Sequence, residues 1–273
     1  MRVAAIQMIS GSDIDDNLRM ADRLLRQAAS EGADLAVLPE NFACYGRGHM
    51  RDEGESESRG QGPILPFLRE RARGLNMWLV GGTLPLTHPA EGSGMAEADG
   101  RRVYAASCVF DARGDCVGRY DKSHLFDAEV GDSVGTYQES TYLCPGSGPQ
   151  VVESPWGRLG LSVCYDLRFP EHYRELRIAG ADILMVPSAF TYATGKAHWD
   201  VLLRARAIEN QCFVVAANQG GRHDERRHSY GGSAIIHPWG QILAQKGQGE
   251  ALVMADLDMD ELRECRRRMP MGL

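Results

Sequence analysis

The chain has 273 residues, 43% of them hydrophobic, and a formal charge of −7 at pH 7. That length can bury a sizeable core, either in one large α/β domain or in two small ones. The acidic balance argues against an electrostatic hold on nucleic acid or anionic lipid, and no segment approaches the ~18 apolar residues of a membrane span.

The opening RVAAIQM predicts a strand that begins at once, without the apolar core and cleavage site of a secretory signal. NLRMADRLLRQAASEG places Leu18, Ala21, Leu24, Leu25 and Ala28 on one helical face, with Gly32 as its stop. ADLAVLPE is a second strand. The stretch after it, over residues 43–62, is rich in glycine and charge and too polar for core, so it reads as a surface loop and a candidate lid. ILPFLRERARGLN is helical in pattern and MWLVGGTLPL reads as one strand, so the first third alternates as layered α/β proteins do.

Hairpins then replace crossovers. VYAASCVFDARGDCVGRYDK gives two strands about an Asp-Ala-Arg-Gly-Asp turn, and VVESPWGRLGLSVC gives two more. HYRELRIAGA, DILMVPSAF, HWDVLLRARAIENQ and CFVVAANQ resume the alternation of helix and strand. GSAIIHPWGQILAQ is another hairpin, turning through Pro238, Trp239 and Gly240, and MDELRECRRRM is the last helix. Its basic cluster, Arg266 to Arg268, reads as cations on a solvated face at a helix C-terminus. No linker divides the chain, and residues 1–273 are read as a single domain. Periodicity alone fits two stacked mixed sheets or one large doubly wound sheet.

Seven cysteines without a Cys-x-x-Cys pair give neither a zinc ribbon nor a disulfide framework, and their odd number suits a reducing, cytoplasmic compartment. No metal and no cofactor are expected. His124, Asp127 and His172 lack ligand spacing, and Gly195-Lys196 lacks the upstream glycines and following hydroxyl of a phosphate loop.

The run GLSVC stops at Cys164, and Phe169-Pro170-Glu171 reads as a helix start, so a thiol is presented at a strand-to-helix turn. Such a turn exposes a side chain and aims backbone N–H groups at the same space. A free cysteine is ordinarily a small buried hydrophobe, and a thiol of pKa about 8.5 needs a base or a cation to react at neutral pH. Two other apolar runs end in suitable groups, Glu40 and Lys122. His124 competes as a base, because on a strand it would share a face with Lys122.

LPENF, YDKSHLFD and CYDLRFPE are followed by PSAFTYATGKAHWDVLLRARAIENQCFVVAANQ and YGGSAIIHPWGQILA. In that order they closely resemble the carbon–nitrogen hydrolase family, the nitrilase superfamily, over nearly the whole chain. The resemblance implies a four-layer α-β-β-α sandwich. It implies Cys164 as nucleophile, Glu40 as proton carrier and Lys122, with the Tyr165 N–H, as oxyanion holder, while Glu139 supports the lysine and the substrate. His124 matches only as a usual neighbour of the lysine. The reaction implied is hydrolysis of a small amide: ammonia leaves, and water then cleaves a thioester on Cys164.

Nitrilases of the family tend to follow the cysteine with Trp-Glu, whereas this chain has Tyr165-Asp166, as its amidases do. Acyltransferase relatives usually carry membrane spans or partners. Among amidases the blocks most resemble the deaminated glutathione branch; omega-amidases acting on 2-oxoglutaramate or 2-oxosuccinamate come next, then other small aliphatic amidases or nitrilases. Arg168 offers a planar fork suited to a substrate carboxylate, against the alternative of an ion pair with Asp166 or Glu171. By resemblance Tyr45, Phe190 and Thr194 complete the binding wall. Family members commonly pair, which implies a homodimer or higher oligomer, with the apolar face of HWDVLLRARAIENQ as candidate surface.

Overall fold

Side chains alternate across β1 (Arg2–Gln7) and β2 (Leu35–Val37). Val3, Ala5, Leu35 and Val37 enter one apolar cluster, whereas Ala4, Ile6 and Ala36 enter another. Both faces of this sheet are therefore covered, as the period of two requires when every position is apolar. The computed structural model describes residues 1–46, 50–100 and 102–272. Between the two strands α1 (Ile14–Ser30) starts where the Asp13 carboxylate accepts the Asp16 N–H, and it buries Ala21, Leu24, Leu25 and Ala28 as the sequence pattern predicts.

The stretch read as a loop over 43–62 contains α2 (Met50–Ser58); residues 47–49 of it lie outside the described residues. Charge misled the reading because Glu57 is buried for a structural purpose. Its carboxylate accepts the N–H groups of Ile64 and Leu65 at 2.6 and 2.9 Å, closing the N-terminus of α3 (Ile64–Leu75). MWLVGGTLPL is likewise two strands, β3 (Trp78–Val80) and β4 (Leu84–Leu86). Both pair with β5 (Tyr104–Phe110), and the break falls at Gly81-Gly82. Gly82 has φ +55°, and a Cβ there would lie 2.1 Å from the Pro39 carbonyl oxygen, so only glycine lets this chain pass the segment leading into Glu40. β6 (Cys116–Asp121) takes the other side of β5, through the expected turn.

β7 (Asp127–Glu129) and β8 (Thr136–Gln138) form a small separate hairpin that the sequence pattern did not reveal. The next pair, β9 (Gln150–Ser154) and β10 (Gly157–Leu161), leads to Cys164. Helix α4 (Pro170–Ile178) has proline in its first turn, and β11 (Ile183–Met185) follows. Helix α5 (Tyr192–Asn210) is capped by Thr191 and stopped by Gln211 in the left-handed region. After it come β12 (Phe213–Ala216), β13 (Ala234–Ile236) and β14 (Ile242–Gln245), the last two being the predicted hairpin. An unpredicted strand, β15 (Ala251–Asp256), returns antiparallel to β1, and α6 (Met259–Arg268) ends the fold.

Among the described residues one sheet runs β15-β1-β2-β3-β5-β4, with β6 on β5, and a second runs β14-β13-β12-β11-β10-β9. Helices α1 and α3 cover the outside of the first sheet, and α4 and α5 pack with the second. Residues of both sheets meet in one apolar cluster, Val3, Val37 and Val109 joining Leu159, Met185 and Val215. The architecture is the four-layer α-β-β-α sandwich, not one doubly wound sheet. At its edge Arg267 and Arg268 pair with Glu264, but Arg266 ties α6 to the core, donating to Asp182 at 2.6 Å and to the carbonyls of Ala181 and Gln211. Among the described residues no helix is long and apolar enough to cross a membrane.

Candidate active site

Three strand ends converge. Beyond β2 the chain reaches Glu40 and then Asn41, whose φ of +56° turns it away while its N–H donates to Thr83 Oγ1 at 2.8 Å. Beyond β6, Lys122 is fixed by its own N–H on the Ala105 carbonyl at 3.0 Å and by the Gly146 N–H on its carbonyl at 2.9 Å. Gln219, from the second sheet's side of the molecule, donates to the Glu40 carbonyl at 3.1 Å. The two sides of the molecule are thus joined at the main chain of Glu40.

Lys122 is wholly buried, and its Nζ donates to Glu40 Oε1 at 2.8 Å and to Glu139 Oε1 and Oε2 at 3.0 and 2.7 Å. Burial opposes its charge, but the carboxylates of Glu139 and Glu40 outweigh that and hold the ammonium well above the usual lysine range. Glu139 follows β8, and its Oε2 also accepts the Phe126 N–H at 2.7 Å. Burial raises its pKa despite the attraction of Lys122.

Cys164 opens a short 3₁₀ turn over Cys164–Arg168 with φ +48°, a conformation that costs a non-glycine residue roughly 1–2 kcal/mol. Its N–H is held by the Pro187 carbonyl at 2.9 Å, and the Ala189 N–H donates to its sulfur. Burial first, then the negative charge of Glu40, pushes the thiol well above its usual range, with Lys122 pulling the other way. The resting sulfur is therefore protonated.

His124 is turned away from this group. Its Nδ1 lies 2.7 Å from Asp166 Oδ1, and its ring stacks on Phe169 with centroids 3.7 Å apart. Departure of the chain from β6 after Asp121 breaks the alternation that would have set it beside Lys122. His124, Asp166 and His172 bring possible ligand atoms within 4.8 Å of one another, but the Asp166 oxygens already meet the Tyr120 hydroxyl, the Val163 N–H, and the backbone N–H and ring Nδ1 of His124. Asp127, the third member considered from sequence, is not in that group.

A cleft of about 840 Å³ opens above Cys164, and every sequence-predicted site residue except the buried Lys122 lines it. Arg168 stands over the rings of Tyr165 and Phe190, 5.8 and 5.1 Å from their centroids, and meets His198 Nδ1 at 3.2 Å. Asp166 does not pair with it, being occupied elsewhere. Tyr45 stacks on His223 with centroids 3.7 Å apart, and Thr194 bonds Thr191 through its hydroxyl at 2.8 Å. The cleft also has walls that sequence reading missed: Asn41, Phe126, Tyr137, Ala189 and Arg227. Arg227 lies in the charged run DERRH, which stands between two matched blocks and could have drawn notice.

The carbon–nitrogen hydrolase family model matches residues 2–267. The human protein named deaminated glutathione amidase is 41% identical over 269 residues, which span 98% of this chain and 80% of that protein. Two solved structures are also similar. Nit3 of Saccharomyces cerevisiae, described as a member of branch 10 of the nitrilase superfamily, superposes with a TM-score of 0.84 at 30% identity, over 100% of this chain and 95% of Nit3. A mutant of the amidase from Nesterenkonia sp. AN1, showing the Michael addition of acrylamide at its active-site cysteine, gives 0.77 at 28% identity, over 98% and 97%. The chain belongs to the carbon–nitrogen hydrolase family and is a hydrolase of carbon–nitrogen bonds other than peptide bonds.

Proposed function

We propose that this protein cleaves the amide bond of a small keto-acid amide of the deaminated glutathione type through a thioester on Cys164. The observation that carries the reading is the buried Lys122 ammonium held between Glu40 and Glu139, which line the same cleft as Cys164. The name of the human relative supports the substrate, and the Arg168 fork at the cleft wall supports a carboxylate beside the keto group.

The thiol attacks the amide carbon as its proton passes to Glu40, and Lys122 with the Tyr165 N–H receives the oxyanion. Because the resting sulfur keeps its proton, the transfer belongs to the encounter with a carbonyl. Collapse breaks the C–N bond, and Glu40 returns the proton to the departing nitrogen. From a primary amide ammonia leaves; the amides of deaminated glutathione are secondary, so an amine leaves in its place. Water then gives a proton to Glu40 and attacks the thioester. Its collapse frees the carboxylic acid and the Cys164 sulfur, which recovers the proton.

Seven free cysteines support a reducing, cytoplasmic setting. Val201 on α5 and Trp239 in the turn packed against it are 69% and 61% exposed, which supports a homodimer through this face. The activity is tested by following the acid released from deaminated glutathione, 2-oxoglutaramate and a neutral aliphatic amide. Deaminated glutathione is expected to have the highest kcat/KM, with an acyl mass on Cys164 in acid-quenched enzyme. Faster turnover of 2-oxoglutaramate would move the enzyme to the omega-amidases, and absence of the adduct with full turnover would overturn the thioester.

A further inference from the structure

Arg227 lines the cleft but has no part in the chemistry above. It also borders an outer groove with Val134, Thr136 and Asp224, so the residue is shared by the cleft and this groove. Its charge acts on the hydroxyls of Tyr45 and Tyr137, whereas Arg168 stands over Tyr165 and Phe190, and the Phe126 ring packs against both Tyr137 and Tyr165.

The turn that carries Arg227 is braced without help from the guanidinium. Arg222 and His228 form an antiparallel bridge, and the His223 N–H donates to the Arg227 carbonyl at 3.0 Å. Asp224 Oδ1 accepts the N–H groups of Arg226 and Arg227 at 2.8 and 2.6 Å. Among the described residues the guanidinium has one hydrogen-bond partner, Asp224 Oδ2 at 3.1 Å, against the five N–H donors it carries. Most of the fork carried on this braced turn is thus left for something in the cleft.

We propose that Arg227 is a specificity-determining residue that binds a carboxylate on the leaving-amine side of the scissile bond, while Arg168 holds the one on the acyl side. This deepens the amidase reading and rests on it. A secondary amide with a carboxylate on each side of its C–N bond satisfies both guanidiniums, whereas a primary amide uses only Arg168. The two arginines also offset the charge of Glu40 and Glu139, which alone would repel a dianion.

The test uses two secondary amides that share an acyl group and differ at the far end of the amine: deaminated glutathione and its glycine N-methylamide. Wild type should prefer the carboxylate by about tenfold in kcat/KM, mostly through KM, as expected for one charge-assisted hydrogen-bonded pair. Arg227→Gln should erase the preference through a loss on the acid far larger than that on the N-methylamide, and Arg227→Lys should restore part of it. The wild-type preference is read first and depends on no variant; its absence overturns the inference. So does a preference that survives Arg227→Gln, or equal losses on both amides. Failure of the parent reading looks different. If wild type leaves deaminated glutathione uncut, the same pair is built on whichever acyl group it accepts, and a wild type that cleaves primary amides alone sinks the inference.

Discussion

The Tyr120 hydroxyl donates to Asp166 Oδ2 at 2.7 Å in the buried interior. Tyr120 precedes Lys122 by two residues and Asp166 follows Cys164 by two, so this bond sets the lysine strand against the cysteine turn. Asp166 also accepts from the Val163 N–H and from His124. Burial works against its charge, but these donors, with the neighbouring His172, hold its carboxyl below the usual range. Asp166→Asn puts an amide donor against donors and should lower the unfolding free energy by about 3 kcal/mol, while Tyr120→Phe should cost about 1 kcal/mol. Urea unfolding checks both; an Asp166→Asn protein as stable as wild type would contradict the placement.

Each member of the triad should be needed. Cys164→Ala should abolish turnover and Glu40→Gln should remove proton transfer. Lys122→Ala should lower kcat by at least the roughly 10²–10³-fold typical of one oxyanion donor, and it also leaves two carboxylates buried together. His124→Asn should do much less, and chelators should leave the rate unchanged. Steady-state kinetics with the acid product as readout decides these. Activity that persists after stoichiometric alkylation of Cys164, or that stops on chelation, would make the mechanism wrong.

Burial lowers the pKa of His223 to about 4, while its Nδ1 lies 2.8 Å from the Ser10 carbonyl and its Nε2 2.9 Å from Ser229 Oγ. An unfolded histidine titrates near 6.5, so between that value and about 4 the unfolded chain holds the extra proton. The stabilisation is therefore complete above pH 6.5 and is lost as pH falls toward 4. Unfolding free energies at pH 7 and pH 4.5 should differ by less in His223→Gln than in wild type. Parallel losses in the two proteins would remove His223 as the cause.

Trp239 and Val201 should mediate self-association, their exposure being high for such large apolar groups. Sedimentation velocity at micromolar concentrations should show at least a dimer, and Val201→Glu should shift it toward the monomer without altering the thermal midpoint. A wild-type monomer throughout that range would defeat this reading.

The amino-acid sequence determined most strands and helices and set the candidate groups at segment ends, because both are written in short segments, whereas the stacking of two sheets was decided by the cluster they share. A period of two with every position apolar specifies a sheet covered on both faces, as in β2 before Glu40, while Lys122 follows β6, whose first residues are exposed and whose last two are buried. Helices α1, α3, α4, α5 and α6 were legible in pattern, although α5 begins at Tyr192, ahead of the segment HWDVLLRARAIENQ, where Thr191 caps it. Tertiary structure decided what depends on partners far along the chain. Glu57 became interior because α3 needed an acceptor, and MWLVGGTLPL was broken where Gly82 must pass the Pro39 carbonyl. The expected shared face of His124 and Lys122 gave way because Asp166, 42 residues away, draws the histidine to itself. Likewise Arg227 lies outside every strand-end motif and reaches the cleft only because its turn is braced against Ser133 and Tyr192. Local pattern records which face a residue prefers; long-range hydrogen bonds and close approaches record which neighbour it meets, and those fix the cleft.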